Sequence, residues 1–253
     1  IGNCKESLKM ITDKIDKRSH KKWISKFDDL MKIEFDKVIK SDLSPNKKGL
    51  TMGESIIAIN DYTKGDAIIV TDVGQHQMVA CRYANFIRSK SNITSGGLGP
   101  MGFALPAAMG AKMGAMDREV VAVIGDGGYQ MTIQELGTIF QLQIPVKIVI
   151  LNNDFLGMVR QWQKIFYNSK FSASELGHVV PDYVKLAESM GAVGLRMTKK
   201  SEVKNVFSEM LKINDKPVLI DCVVDPEDMV FPMVPAGGSN DQIIMNEEDL
   251  KNL

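Results

Sequence analysis

Four short runs of β-branched and aliphatic residues constrain this chain more than any other feature: "DAIIVTD" (66–72), "REVVAVIGD" (118–126), "PVKIVILNN" (145–153) and "KPVLIDCVV" (216–224). None alternates apolar with polar residues, so each reads as a strand covered on both faces, and helical patterns lie between them. Strand-helix-strand order implies parallel pairing through right-handed crossovers. The expected architecture is α/β, an open parallel sheet with helices on both faces, over residues 49–225. In such sheets ligands sit at the carboxyl ends of the strands. Three of those ends continue as "VGQHQ", "GDGGYQ" and "NNDFLGM", rich in glycine and small polar residues.

Residues 1–48 are rich in lysine and aspartate, with Leu8, Ile11 and Ile15, then Trp23, Phe27, Leu30, Met31 and Ile33, near helical spacing. Two amphipathic helices are expected, followed by a turn-rich linker, "SDLSPNKKG" (41–49). Residues 226–253 read as a tail returning toward the strand ends. Lys plus Arg and Asp plus Glu both number 31, so no global field draws the chain to nucleic acid, and an anion site must be local. No apolar run reaches the roughly 20 residues that span a bilayer. Cys4, Cys81 and Cys222 match no metal or redox spacing and suit a reducing compartment. The chain begins at Ile1 rather than Met, as expected of a piece of a longer polypeptide.

"SGGLGPMGFALP" (95–106) carries Gly97, Gly99 and Gly102 at the spacing of a dinucleotide fingerprint. That motif requires a buried strand directly before it, and "RSKSNITS" is a poor one. Tight turns and a helix start near Gly102 explain part of the pattern. "GDGGYQMTIQEL" is more informative. A strand ends at Ile124, the chain turns through Gly125, Gly127 and Gly128, and a helix is expected to begin near Met131, which places backbone amides where phosphate binds. A carboxylate beside phosphate is repulsive unless a cation separates them, so Asp126 calls for a hard ion such as Mg²⁺. Asn152 and Asn153, at the next strand end, offer neutral oxygens.

Gly125-Asp126-Gly127 followed by Asn152-Asn153 resembles the cofactor motif of the thiamin diphosphate enzymes. Within them, "TDVGQHQM", "TSGGLGPMGFALPAA", "VIGDGGYQMTIQEL", "LNNDFLGMVRQWQ" and "FPMVPAGGS" are similar to segments of the acetolactate synthase (acetohydroxyacid synthase) catalytic subunits, over about residues 50–240. The resemblance implies diphosphate contacts from Gly74, Gln75, His76, Gly127 and Gly128. It implies Mg²⁺ held by the Asp126 carboxylate, the Asn153 side-chain oxygen and the Phe155 carbonyl. It further implies a cofactor bent over Met131, with Gly99 and Met101 at its pyrimidine, Gly157 and Met158 beside the reacting centre, and Trp162 in the acceptor pocket. Gln75, Met131, Met158 and Trp162 are the candidate catalytic residues.

The implied reaction condenses pyruvate with pyruvate or 2-ketobutyrate, with loss of CO₂, in branched-chain amino acid biosynthesis. The resemblance also implies a dimer or tetramer of a longer subunit, a regulatory small subunit, FAD in the full-length enzyme, and a bacterial cytoplasm or a plastid. The family's activating glutamate belongs to an N-terminal domain that this sequence does not contain, so the segment is expected to be inactive by itself. At the position of Gly128 many relatives carry Ser or Ala. The alternatives are the corresponding subunit of a split thiamin-dependent 2-ketoacid decarboxylase, and a binding module without activity.

Overall fold

The structure is a computed structural model of the 253-residue chain and describes residues 1–43, 49–177 and 180–252. Its elements follow as α1 (Cys4–Thr12), α2 (Lys21–Glu34), α3 (Lys40–Leu43), α4 (Met52–Thr63), β1 (Ile68–Thr71), α5 (Gln75–Tyr83), β2 (Asn92–Thr94), α6 (Ala104–Gly114), β3 (Val120–Gly125), α7 (Asp126–Met131), α8 (Glu135–Gln141), β4 (Lys147–Asn152), α9 (Gly157–Phe166), α10 (Tyr183–Ser189), β5 (Val193–Met197), α11 (Val203–Lys212) and β6 (Val218–Val223). The six strands form one sheet in the order β2-β1-β3-β4-β6-β5, and every pairing is parallel.

The four apolar runs are the four central strands, and their lack of alternation has the expected cause. Successive side chains of a strand face opposite ways. Val121 and Val123 of β3 enter one core with Ile56 and Ile59 of α4, Val79 of α5 and Phe207 of α11. Val120, Ala122 and Ile124 enter the other with Leu105 of α6, Ile139 of α8 and Tyr183 of α10. Both faces are therefore covered. The edge strands β2 and β5 escape the pattern because an edge needs no two-faced burial: "NIT" and "VGLRM" are mostly half-exposed or exposed.

From β1 the chain moves outward to β2, then crosses back to β3 on the other side of β1. Adjacent strands whose connections depart in opposite directions leave a crevice at their carboxyl ends. Here it opens beyond Thr71 of β1 and Gly125 of β3.

Two expectations need correcting. The helix after β3 begins at Asp126 itself and ends at Met131, instead of beginning there. Gly127 and Gly128 allow this, since a Cβ at either would meet Leu156 Cδ2 at 2.6 Å or Asp72 Oδ2 at 1.8 Å, so no loop residues intervene. Secondly, α2 does not stop at a loop but continues through a π-helical turn, Phe35–Ile39, into α3. The expected linker falls largely on residues 44–48, outside the described residues. Neither α1 nor α2 has a buried residue, and Leu8, Ile11, Trp23, Phe27, Leu30 and Met31 are exposed. Val38 is the anchor of this segment, buried with Met229, Phe231, Met233 and Ile244 of the C-terminal tail. Among the described residues no helix is long and apolar enough to cross a membrane.

Candidate cofactor site

A cleft occupies the crevice beyond β1, β3 and β4. Three helices start at its walls: α5 after Gly74, α7 after Gly125 and α9 after Leu156, and none has a side-chain cap. Thr51 and Glu54 form a reciprocal box on α4 and Asp182 caps α10, whereas α2, α8 and α11, like the three helices at the cleft, start without a side-chain cap. A helix leaves its first amides without intrahelical partners, and uncapped amides around a cleft suit an anion.

Asp126 is 2% exposed at this cleft. Its Oδ1 accepts a hydrogen bond from the Gly127 amide at 2.9 Å, while Oδ2 is buried without a protein partner. Burial pushes its carboxyl up to about 7, against the pull of backbone hydrogen bonds from Gly127 and Asp154. His76 lines the same cleft, and burial lowers it to about 4, so its imidazole is neutral near pH 7; its Nε2 has no partner. An isolated buried carboxylate is costly, and a cation is the usual remedy. Among the described residues no three His, Cys, Asp or Glu side chains cluster, so a cation held by Asp126 would need amide or carbonyl oxygens to complete its shell.

The chain after β4 supplies such oxygens. Asn153 Oδ1 accepts from the Phe155 amide at 3.2 Å across Asp154, which adopts φ 61. The two asparagines divide their tasks. Asn152 donates to Asp221 Oδ1 at 3.0 Å and accepts from the Asp154 amide at 3.2 Å, and Asp221 is in turn paired with Arg196 at 3.0 Å. Asn152 therefore ties the loop to the sheet, whereas Asn153 lines the cleft.

Close approach explains two glycines. A Cβ on Gly157 would lie 2.1 Å from Gln75 Oε1, and one on Gly128 would collide with Asp72. Asp72 is a structural residue beside the cleft that spacing did not reveal. Its carboxylate accepts from the amides of Gly102, Phe103 and Ala104 at 3.0, 2.8 and 3.3 Å, so it caps α6 and fixes the end of the glycine loop.

Of the residues singled out in the sequence, Gly74, Gln75, His76, Met101, Asp126, Gly127, Gly128, Asn153, Phe155, Gly157 and Met158 all line the cleft. Gln75 does so with its carboxamide already committed, donating to Gln161 Oε1 and the Asp228 carbonyl and accepting from Asn153. Only its backbone is left for a ligand. Gly99, Met131 and Trp162 lie outside the cleft lining. Because α7 starts at Asp126, Met131 sits at that helix's far end, 52% exposed, with its Cβ beside Gly102. Gly99 lies in the loop against Val73. Trp162 borders a second depression with Phe166, Tyr167 and Lys170, and Met158 and Val159 belong to the walls of both.

The profile of the family "Thiamine pyrophosphate enzyme, C-terminal TPP binding domain" matches residues 72–222. The chain belongs to the thiamine pyrophosphate enzymes. The matched span runs from Asp72, just past β1, to Cys222 near the end of β6, and so contains every loop that lines the cleft except the stretch around Met52. An acetolactate synthase of Mycobacterium bovis is 47% identical over 203 residues, which is 79% of this chain and 33% of that protein. The acetolactate synthase isozyme 3 large subunit of Escherichia coli is 45% identical over 189 residues, 74% of this chain and 33% of that subunit. A solved thiamine diphosphate-dependent 4-hydroxybenzoylformate decarboxylase of Rhodococcus jostii superposes with a TM-score of 0.66 at 27% identity, over 72% of this chain and 34% of that one. The chain thus spans about a third of the length of the relatives it matches.

Proposed function

We propose that this chain is the diphosphate- and Mg²⁺-binding part of an acetolactate synthase. The unpartnered, buried Oδ2 of Asp126, set among three uncapped helix starts, carries the reading of the site, and identities of 45 to 47% with acetolactate synthases, against 27% with the decarboxylase, favour the activity. Asp126, the Asn153 side-chain oxygen and the Phe155 carbonyl would hold the cation. Amides of Gly74, Gln75, Gly127 and Gly128 and the imidazole of His76 would hold the diphosphate, a neutral His76 being able to donate one hydrogen bond without adding charge. When bound, thiamin diphosphate supplies the nucleophile and the electron sink for loss of CO₂ from pyruvate and transfer of the remaining two-carbon unit to pyruvate or 2-ketobutyrate.

This chain's side chains supply position and dryness. Met101 and Met158 line the cleft as apolar wall, and Trp162, four residues beyond Met158 on α9, borders the neighbouring depression where an acceptor's alkyl group would rest. Met131 and Gly99 belong to the rim of this arrangement, near the glycine loop. In the same reading, residues 49–225 form the cofactor domain, 1–48 a helical segment from a preceding domain and 226–253 a tail over the site. The full-length subunit works in the cytoplasm or a plastid as a dimer or tetramer with FAD and a regulatory subunit.

Calorimetry with thiamin diphosphate should show Mg²⁺-dependent binding that Asp126→Ala abolishes. Undiminished binding by that variant would remove Asp126 from the site.

A further inference from the structure

Gln161 on α9 is 1% exposed and makes a pair of hydrogen bonds with one backbone unit of the C-terminal tail: its Oε1 accepts from the Val230 amide at 2.9 Å and its Nε2 donates to the Val230 carbonyl at 2.9 Å. A backbone unit cannot exchange its donor for its acceptor. Val230 therefore fixes the polarity of the Gln161 carboxamide, since a flipped amide would set donor against donor and acceptor against acceptor. The polarity passes inward. Gln161 Oε1 also accepts from Gln75 Nε2 at 2.8 Å, and that same nitrogen donates to the Asp228 carbonyl at 3.2 Å. Gln75 is left with Oε1 toward Asn153, where it accepts from Nδ2 at 3.4 Å. Asn153 consequently turns its nitrogen to Gln75 and keeps Oδ1 for the Phe155 turn and the cleft. Gly157 leaves room for this contact, because a Cβ there would lie 2.1 Å from Gln75 Oε1 and 2.8 Å from Asn153 Nδ2.

We propose that Gln161 is a positioning residue which, through Gln75, holds the Asn153 oxygen toward the cation, so that docking of the tail at Asp228 and Val230 and loading of the cation with its diphosphate favour one another. This rests on the reading that Asp126 and Asn153 hold the cation. All three amide side chains are buried, so no solvent competes for their orientation. Groups that orient a metal ligand without touching the metal typically contribute on the order of 10- to 100-fold in metal affinity. Coupling between tail and cation is then reciprocal by thermodynamic necessity.

The test uses the whole chain with thiamin diphosphate, titrated with Mg²⁺ by calorimetry, and follows hydrogen exchange of the Val230 amide with and without both ligands. Gln161→Met keeps length and packing while removing both polar ends. It should weaken Mg²⁺ by about 10- to 100-fold and abolish the slowing of Val230 exchange that cofactor and Mg²⁺ produce in the unaltered chain. Gln161→Glu can still accept from Gln75 but cannot donate to Val230, and should fall between the two; it serves also if the methionine variant does not fold. Ile139→Val loosens the core on the other face of the sheet, away from the tail and from these amides. It should lower the melting temperature and leave Mg²⁺ affinity within about 2-fold. Unchanged Mg²⁺ affinity in both Gln161 variants overturns the proposal. So does an equal loss in Ile139→Val, which would reduce Gln161 to a structural prop. Asp126→Ala separates the two levels: if it abolishes Mg²⁺-dependent binding while the Gln161 variants do not weaken it, the cation site stands and the positioning role falls. If Mg²⁺ has no effect on the unaltered chain, both fall.

Discussion

Asp126 and His76 are buried in one cleft and are shifted in opposite directions, which sets the pH response of the cofactor-free chain. The Asp126 carboxyl, raised by burial from 3.8 to about 7, keeps a proton in the folded chain that the unfolded chain has released, so its contribution to stability declines as pH rises from about 4 to 7. His76, lowered by burial from 6.5 to about 4, stays neutral in the folded chain while the unfolded chain takes up a proton, so its contribution is present above 6.5 and declines as pH falls toward 4. The two slopes oppose each other across most of this window. Relative to the unaltered chain, the urea midpoint of Asp126→Asn should gain a component that rises from pH 4 to 6.5, and that of His76→Gln one that falls. Identical pH profiles for the three proteins would show that neither group is buried in solution. Both residues were legible in the sequence because each comes soon after a buried apolar run and beside glycine. Gln161 and Asp221 were not, because a buried amide or carboxylate takes its role from partners distant in sequence: Val230 is 69 residues from Gln161, and Asn152 is 69 from Asp221.

At the scale of elements, the central strands were readable from two-faced burial, and the loops that form the cleft from glycine and small polar residues at the strand ends. The edge strands β2 and β5 were not, since a short strand that buries little has no apolar signature; yet β5 carries Arg196, whose pairing with Asp221 supports Asn152 and the turn to Asn153. The start of α7 was misplaced for a related reason, as nothing local shows that glycines 127 and 128 let a helix press against Asp72. That contact has a measurable consequence. Asp72→Ala removes the acceptor for the amides of Gly102, Phe103 and Ala104 leading into α6 and should destabilise the chain by about 1 to 2 kcal/mol, as loss of a helix cap does. Gly128→Ala drives a methyl into Asp72 Oδ2 and should cost at least as much, by displacing the same carboxylate. Because both substitutions abolish one interaction, they should be strongly non-additive. Gly128→Ala introduced into Asp72→Ala should change the denaturation midpoint little. Additive costs would mean that the glycine answers to some other constraint, such as the ligand itself.

For the whole molecule, the decisive point is what the cleft contains and what it omits. Among the described residues lining it, Asp126 is the one carboxylate, and its place beside the Asn153 turn commits it to the cation in the proposed reading. Activation of the cofactor in the family that this sequence resembles depends on a glutamate at the pyrimidine, and among the described residues none lines the cleft. The surface of the chain fits the same division of labour. Leu98 at the tip of the glycine loop and Met131 at its side are exposed, as are the apolar residues of α1 and α2, and the match covers about a third of each relative. Binding and turnover should therefore separate. Supplied with thiamin diphosphate, Mg²⁺ and pyruvate, the 253-residue chain should bind the cofactor in calorimetry yet form no acetolactate in a colorimetric acetoin assay. Sustained turnover through an acid of the cleft would have to use Asp126, the one carboxylate among the described residues lining it, protonated and free of metal. Such activity would fall as pH rises through about 7 and would persist in a chelator. A turnover that instead required Mg²⁺ and survived above that pH would place the activating group outside the cleft described here.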